Sequence, residues 1–175
     1  MEHSLRGILN RVDFKTFSTR LMEVLKIKHL SNTQKSALMN LWNQEYPKSL
    51  FLKNSTDFDT YLSSIDQSIH FLVIQENEIV GWFVDFKREG KNWFAMIIDR
   101  NHQHKGIGSM LLNQAKSRHQ KLLGWVIDQD NELRVDGSTY PSPIQFYIKN
   151  EFVVMKEVRL ETPKISAVQI EWSRK

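Results

Sequence analysis

Apolar positions along the chain follow two rhythms. Leu21, Leu25 and Ile27 recur at every second position, with Glu23 interrupting the apolar side, which predicts a first strand over 21–28. Ser31-Asn-Thr-Gln34 has the form of a capping box, and Ala37, Leu38, Leu41 and Trp42 follow at the three-and-four spacing of a buried helix face that Pro47 stops. A second box is read at Thr56-Asp-Phe-Asp59, ahead of Phe58, Tyr61, Leu62 and Ile65. The period then changes. Ile69–Ile74, Ile79–Phe86 and Trp93–Ile98 are short runs rich in β-branched and aromatic residues, separated by Glu76-Asn77-Glu78 and Arg88-Glu89-Gly90-Lys91-Asn92. Turn chemistry between such runs predicts two successive hairpins and three antiparallel strands.

Beyond them, Ile107, Met110, Leu111 and Ala115 line one face of a helix reaching about Gln120. Leu123–Ile127 is a further strand, close enough behind that helix to lie parallel to Trp93–Ile98 through a crossover. Residues 128–141 are polar and turn-rich. Ser142-Pro143-Ile144-Gln145 pairs an N-cap Ser with a helix-opening Pro, which predicts a short helix over Pro143–Lys149. Phe152–Leu160 and Ile165–Trp172 form a terminal hairpin turned at Thr162-Pro163, with Val168, Ile170 and Trp172 facing inward. Residues 1–20 show no clean period and are read as an extension with a short helix around Leu5–Leu9, so the domain proper runs from 21 to 175.

With 175 residues, 41% hydrophobic, and 10 Phe and 5 Trp, the chain has the material for one sizeable core. The absence of Cys excludes disulfides, thiolate metal sites and a cysteine nucleophile, and it suits a reducing cytoplasm. No basic-then-apolar leader opens the sequence, and no apolar run approaches the roughly 18 residues that cross a bilayer, so no membrane association is expected. A net charge of +4 comes from 24 basic and 20 acidic residues scattered among one another. That pattern permits an anionic ligand and argues against a dedicated nucleic-acid surface.

The strongest local signal is a strand, a glycine-bearing turn and a helix start: Ile97-Ile98-Asp99-Arg100-Asn101-His102-Gln103-His104-Lys105-Gly106-Ile107-Gly108-Ser109. Glycines there let backbone N–H groups converge on an anion, and the first helical turn adds unpaired donors and the positive end of its dipole. Such a turn can cradle a pyrophosphate; it also describes an ordinary tight turn opening a helix. It is neither a Gly-x4-Gly-Lys-Ser/Thr phosphate loop nor a dinucleotide fingerprint, whose third Gly is replaced by Leu111. His102 and His104 lack carboxylate or Cys neighbours at ligand spacing, so no metal is expected. Asp99 is read as shaping the turn.

Gln103-x-x-Gly106-x-Gly108 after a strand, followed by Phe146-Tyr147-x-Lys149-x-x-Phe152, resembles the acyl-CoA-binding core of the GNAT superfamily of N-acetyltransferases. The resemblance covers residues 69–160 in the order and spacing of elements. It implies an α/β fold with a mixed, mostly antiparallel sheet, a splayed parallel strand pair and flanking helices. It further implies that acetyl-CoA is the co-substrate, with Ile97 and Ile98 bordering the pantetheine arm and Gln103, His104, Lys105, Gly106, Ile107, Gly108 and Ser109 around the pyrophosphate. Tyr147 would face the thioester sulfur, where a phenol of ordinary pKa near 10 stays protonated at neutral pH and can protonate a leaving thiolate.

Three positions depart from the family pattern. Pro141 stands where an Asn is frequent, so Ser142 would have to supply that contact to CoA. Glu151 replaces the Gly before the closing Phe, which leaves Asn150 as the expected left-handed residue. Asn92 stands where some relatives carry a Glu base, and an amide cannot act as a base. Asp128, at the end of the strand beside Trp93–Ile98, is the candidate to receive a cationic amine at the cleft mouth. The expectation is a cytoplasmic N-acetyltransferase acting on a small-molecule or peptide amine, with exposed hairpin edges that suit a homodimer. The rival readings are a non-catalytic acyl-CoA sensor or scaffold and a basic nucleic-acid-binding module.

Overall fold

The computed structural model describes residues 22–175. The predicted extension over 1–20, its short helix and Leu21 lie outside them. In chain order the elements are β1 (Met22–Ile27), α1 (Asn32–Glu45), α2 (Ser55–Ser63), β2 (Asp66–Gln75), β3 (Glu78–Arg88), β4 (Lys91–Ile98), α3 (Ile107–Arg118), β5 (Lys121–Val126), α4 (Ile144–Lys149), β6 (Val153–Glu161) and β7 (Ser166–Ser173). The seven strands form one sheet in the order β1-β2-β3-β4-β5-β7-β6. Every pairing is antiparallel except β4 with β5. This is the mixed sheet expected from the sequence, with the crossover through α3 supplying the one parallel pair.

Local chemistry accounts for most boundaries. Ser31 caps α1 as read: its hydroxyl accepts from the Gln34 amide and the Gln34 side chain accepts from the Ser31 amide. Glu76, Asn77, Glu89 and Gly90 all have positive φ, the backbone that tight two-residue hairpin turns require. The second capping box is corrected by two residues. Asn54, not Thr56, caps α2, with its side-chain oxygen accepting from the Asp57 amide while Asp57 accepts from Lys53. Asn outranks Thr as a cap, and it stands directly before the helix. The left-handed residue after α4 is Glu151 at φ 64°, whereas Asn150 stays at φ −92°. There the Phe152 amide reaches back to the Tyr147 carbonyl, and the buried Lys116 ammonium donates to the Asn150 carbonyl.

Side chains alternate across the sheet into two apolar layers. Trp82 and Val84 of β3 pack with Leu38, Leu41, Trp42 and Phe58 under α1 and α2. Phe83, between them, faces the opposite layer with Phe94, Leu111, Leu112, Tyr147 and Phe152 under α3 and α4.

One polar group lies deep in the first layer. His70 is 3% exposed, takes the Trp82 indole N–H on Nδ1 at 3.2 Å and has Ser68 Oγ 3.3 Å from Nε2. Burial lowers its pKa to about 4, so the folded protein holds it neutral. The unfolded chain binds this proton near pH 6.5, so stability present above that value is lost as pH falls toward 4. We expect the urea midpoint at pH 5 to drop relative to pH 7, His70 contributing roughly 2 kcal/mol of the change. His70→Gln should remove that part of the dependence; an unchanged slope would assign it to other groups.

Candidate active site

The sheet opens where its two halves meet. The parallel pair β4 and β5 is in register only at Trp93 and Leu123, and toward their C-terminal ends the strands separate. Aromatic bulk fills the junction. The Phe94 ring lies over Gly124, where a Cβ would come within 3.0 Å of it, so a larger residue on β5 would have to displace Phe94. Phe94 is 5.8 Å from Tyr147 and 5.4 Å from Phe152, ring centre to ring centre. Tyr147 is thus held between α4 and the opening, 6% exposed. Among the described residues its hydroxyl has no hydrogen-bond partner, and desolvation pushes the phenol well above its usual pKa.

The end of β4 runs into the glycine-bearing turn. Asp99 shapes it as expected, accepting from the Asn101 amide at 2.8 Å and pairing with His102 Nδ1 at 3.0 Å. His102 is thereby engaged, and among the described residues no group of three metal-ligating side chains converges. His104 and Gly106 have φ of 60° and 80°, and α3 begins at Ile107 without a side-chain cap. The amides of Ile107, Gly108 and Ser109 therefore lack an acceptor among the described residues, as the first turn of a helix does by construction. His104 and Lys105 are exposed beside them.

Three side chains read as ligand contacts are engaged within the fold. The Gln103 amide donates to the Ile98 carbonyl at 2.9 Å, tying the turn to the end of β4. The Ser142 hydroxyl donates to the Ile127 carbonyl at 2.7 Å and accepts from the Ile144 amide, so it fixes α4 to β5 rather than reaching outward. Asp128 is held by both arms of Arg159 at 2.9 and 3.1 Å, and hydrogen bonding to that guanidinium keeps its carboxyl below the usual range. It offers an incoming ammonium no uncompensated negative charge. Asn92, at the end where β4 and β5 still pair, donates weakly to the Lys121 carbonyl at 3.4 Å. Gly108 is required by packing as well as by any ligand, because a Cβ there would lie 2.8 Å from the Phe146 ring.

Sequence reading missed the group that closes the site. Glu45, at the end of α1, is 4% exposed. Its Oε1 accepts from the Arg100 amide and Nε, both at 3.2 Å, and the Arg134 Nε lies 3.8 Å from Oε2. Arg100 also pairs with Asp136 at 2.7 Å, and the Lys48 amide donates to the Leu133 carbonyl at 2.8 Å. Segment 128–142 is thereby clamped across the end of β4 onto α1, folded on itself by the Leu133–Thr139 bridge and the turn at Gly137. Tyr46 and Tyr140 lie on the two sides of this clamp. Burial raises the Tyr46 phenol, further opposed by Tyr140, Tyr61 and Tyr147, and pushes Tyr140 up to about 12. Three neutral phenols, Tyr46, Tyr140 and Tyr147, thus share one electrostatic neighbourhood. No local spacing announces it.

Glu45→Gln leaves the buried Arg134 guanidinium without its counter-charge, and removing one partner of a buried pair costs about 3 kcal/mol. We expect a lower thermal midpoint and new proteolytic cleavage within 128–142. Unaltered protection of that segment would show that the clamp does not depend on the carboxylate.

A mixed sheet opened between two parallel strands, with a helix start at one strand end and a buried Tyr beside the gap, defines the acyl-CoA N-acyltransferase fold. The family description "Acetyltransferase (GNAT) domain" matches residues 66–154, just over half the chain, and the protein belongs to that family. Solved structures agree in fold. An aminoglycoside 6'-N-acetyltransferase complexed with coenzyme A aligns at TM-score 0.61 and 12% identity over 86% of this chain and 96% of that one. An acyl-CoA N-acyltransferase from Pseudomonas aeruginosa aligns at 0.60 and 12%, over 87% and 99%. The PaiA N-acetyltransferase from Thermoplasma acidophilum, in complex with coenzyme A, aligns at 0.59 and 16%, over 87% and 99%. No curated protein matches the sequence. Among the described residues, no helix is long and apolar enough to cross a membrane.

Proposed function

We propose that the protein transfers an acetyl group from acetyl-CoA to a primary amine by direct attack, with Tyr147 as the general acid. The observation that carries this reading is the Tyr147 phenol, buried beside the opening between β4 and β5 and free of any hydrogen-bond partner among the described residues.

The residues present suit acetyl-CoA. The unpartnered amides of residues 107–109, with His104 and Lys105 exposed alongside, can take a pyrophosphate. The edge of β4 at Ile97 and Ile98, no longer paired with β5, can hydrogen-bond the amides of the pantetheine arm. That route leads the thioester toward Tyr147.

In the reaction the amine nitrogen bonds to the acetyl carbon and the carbon–sulfur bond breaks. The sulfur takes the Tyr147 proton, and the proton released by the new amide nitrogen returns through water to the phenolate. Burial that raises the phenol pKa also raises that of the leaving thiolate, so the transfer is not made unfavourable by the dry site. Because no Cys is present, no cysteine-bound acetyl intermediate forms. No base is needed on the enzyme if the amine arrives neutral, which accommodates Asn92. Acetyl-CoA titration followed by thiol release over a panel of amines tests the reading. Binding without thiol release would favour the sensor reading.

A further inference from the structure

The segments that carry Tyr46 and Tyr140 also wall an open groove of about 520 Å³. Its walls are Lys48, Ser49, Phe51 and Lys53 between α1 and α2, Val135 on the clamped segment, and Lys164 at the β6–β7 turn. Three lysines therefore line it, and among the described residues no acidic one does. Among the described residues none of these lysines makes a salt bridge, whereas four acids of the flanking segments do. Glu45 faces Arg100 and Arg134, Asp136 pairs with Arg100, and Asp128 and Glu161 pair with Arg159. Two further features point to a ligand. Ser49 Oγ, on a groove residue, is buried without a hydrogen-bond partner among the described residues, and an unfilled buried hydroxyl costs stability. Phe51 and Val135 are 43% and 56% exposed, an apolar strip in an otherwise charged rim.

We propose that this groove selects the acceptor, and that the acceptor is a small, partly apolar amine that also bears an anionic group, a carboxylate or a phosphate. The inference rests on the acetyltransferase reading above and narrows its substrate class. Lys48, Lys53 and Lys164 attract the anion, and Phe51 and Val135 cover the hydrocarbon. The same positive rim repels polycationic amines such as aminoglycosides, so likeness of fold to aminoglycoside acetyltransferases does not carry over to substrate.

The test compares matched amines at fixed acetyl-CoA: L-phenylalanine against phenethylamine, phosphoethanolamine against ethanolamine, with spermidine and kanamycin as cationic arms. We expect kcat/KM at least about tenfold higher for the charged member of one pair, shrinking as salt rises from 50 to 500 mM because exposed charges are screened. The pair that responds separates carboxylate from phosphate. In Lys48→Gln/Lys53→Gln/Lys164→Gln the preference should vanish through a raised KM for the charged member of the pair. Calorimetry of N-acetyl-L-phenylalanine, N-acetylphenethylamine, N-acetylphosphoethanolamine and N-acetylethanolamine on the CoA-bound protein gives a readout independent of turnover. Charge-selective binding without thiol release would overturn the enzymatic reading and leave the groove's selectivity standing. Equal binding across both pairs, or faster turnover of spermidine or kanamycin, would overturn the anionic-acceptor inference itself.

Discussion

Tyr147→Phe is expected to turn over 10- to 1000-fold more slowly than the native protein while binding CoA with the same affinity, the loss expected for one general acid. The substitution is unusually clean here. The hydroxyl has no hydrogen-bond partner among the described residues, so its removal orphans nothing. The ring keeps its packing against Phe94, Phe146 and Phe152, so thermal stability should change by less than about 0.5 kcal/mol. Because burial holds the phenol protonated well above its ordinary pKa, activity should rise with pH as the acceptor amine loses its proton. No alkaline decline from Tyr147 should appear up to about pH 10. Wild-type turnover in the Phe variant would reduce Tyr147 to a packing residue.

The second large effect is at Gly108, and the structure changes how it must be tested. Gly108→Glu places an anion where the pyrophosphate is proposed to sit, and like charges a few ångströms apart should weaken CoA binding on the order of 100-fold. Any side chain at this position also strikes Phe146, which precedes Tyr147 on α4. Even Gly108→Ala should therefore destabilise by about 1 to 3 kcal/mol, the usual range for overpacking. Trimming the ring separates the two causes. Gly108→Ala/Phe146→Leu should recover most CoA affinity by isothermal titration, and Gly108→Glu/Phe146→Leu should not. Recovery in both double variants would mean that the helix start does not hold the phosphates.

The sequence was most legible where structure is decided within a few residues. The Ser31 capping box, the positive-φ turns at Asn77 and Gly90 and the apolar face from Ile107 to Ala115 each depend on neighbours three or four positions away. From these, with the glycine-bearing turn and the later Tyr147, the family and the outline of its cleft follow.

Tertiary structure decided what those residues do. Gln103 and Ser142 carry side chains equally able to meet a ligand or a carbonyl, and only the approach of Ile98 and Ile127 commits them to carbonyls. Asp128 reads as a free acid until Arg159, 31 residues on, neutralises it. Glu45 meets Arg100 and Arg134 across 55 and 89 residues, a separation at which no periodicity survives. Periodicity encodes which face of an element is buried. Pairing of charges and unfilled donors depends on which elements the folded chain brings together, and that is why the clamp, the neutral phenols and the lysine-rimmed groove become visible only in three dimensions.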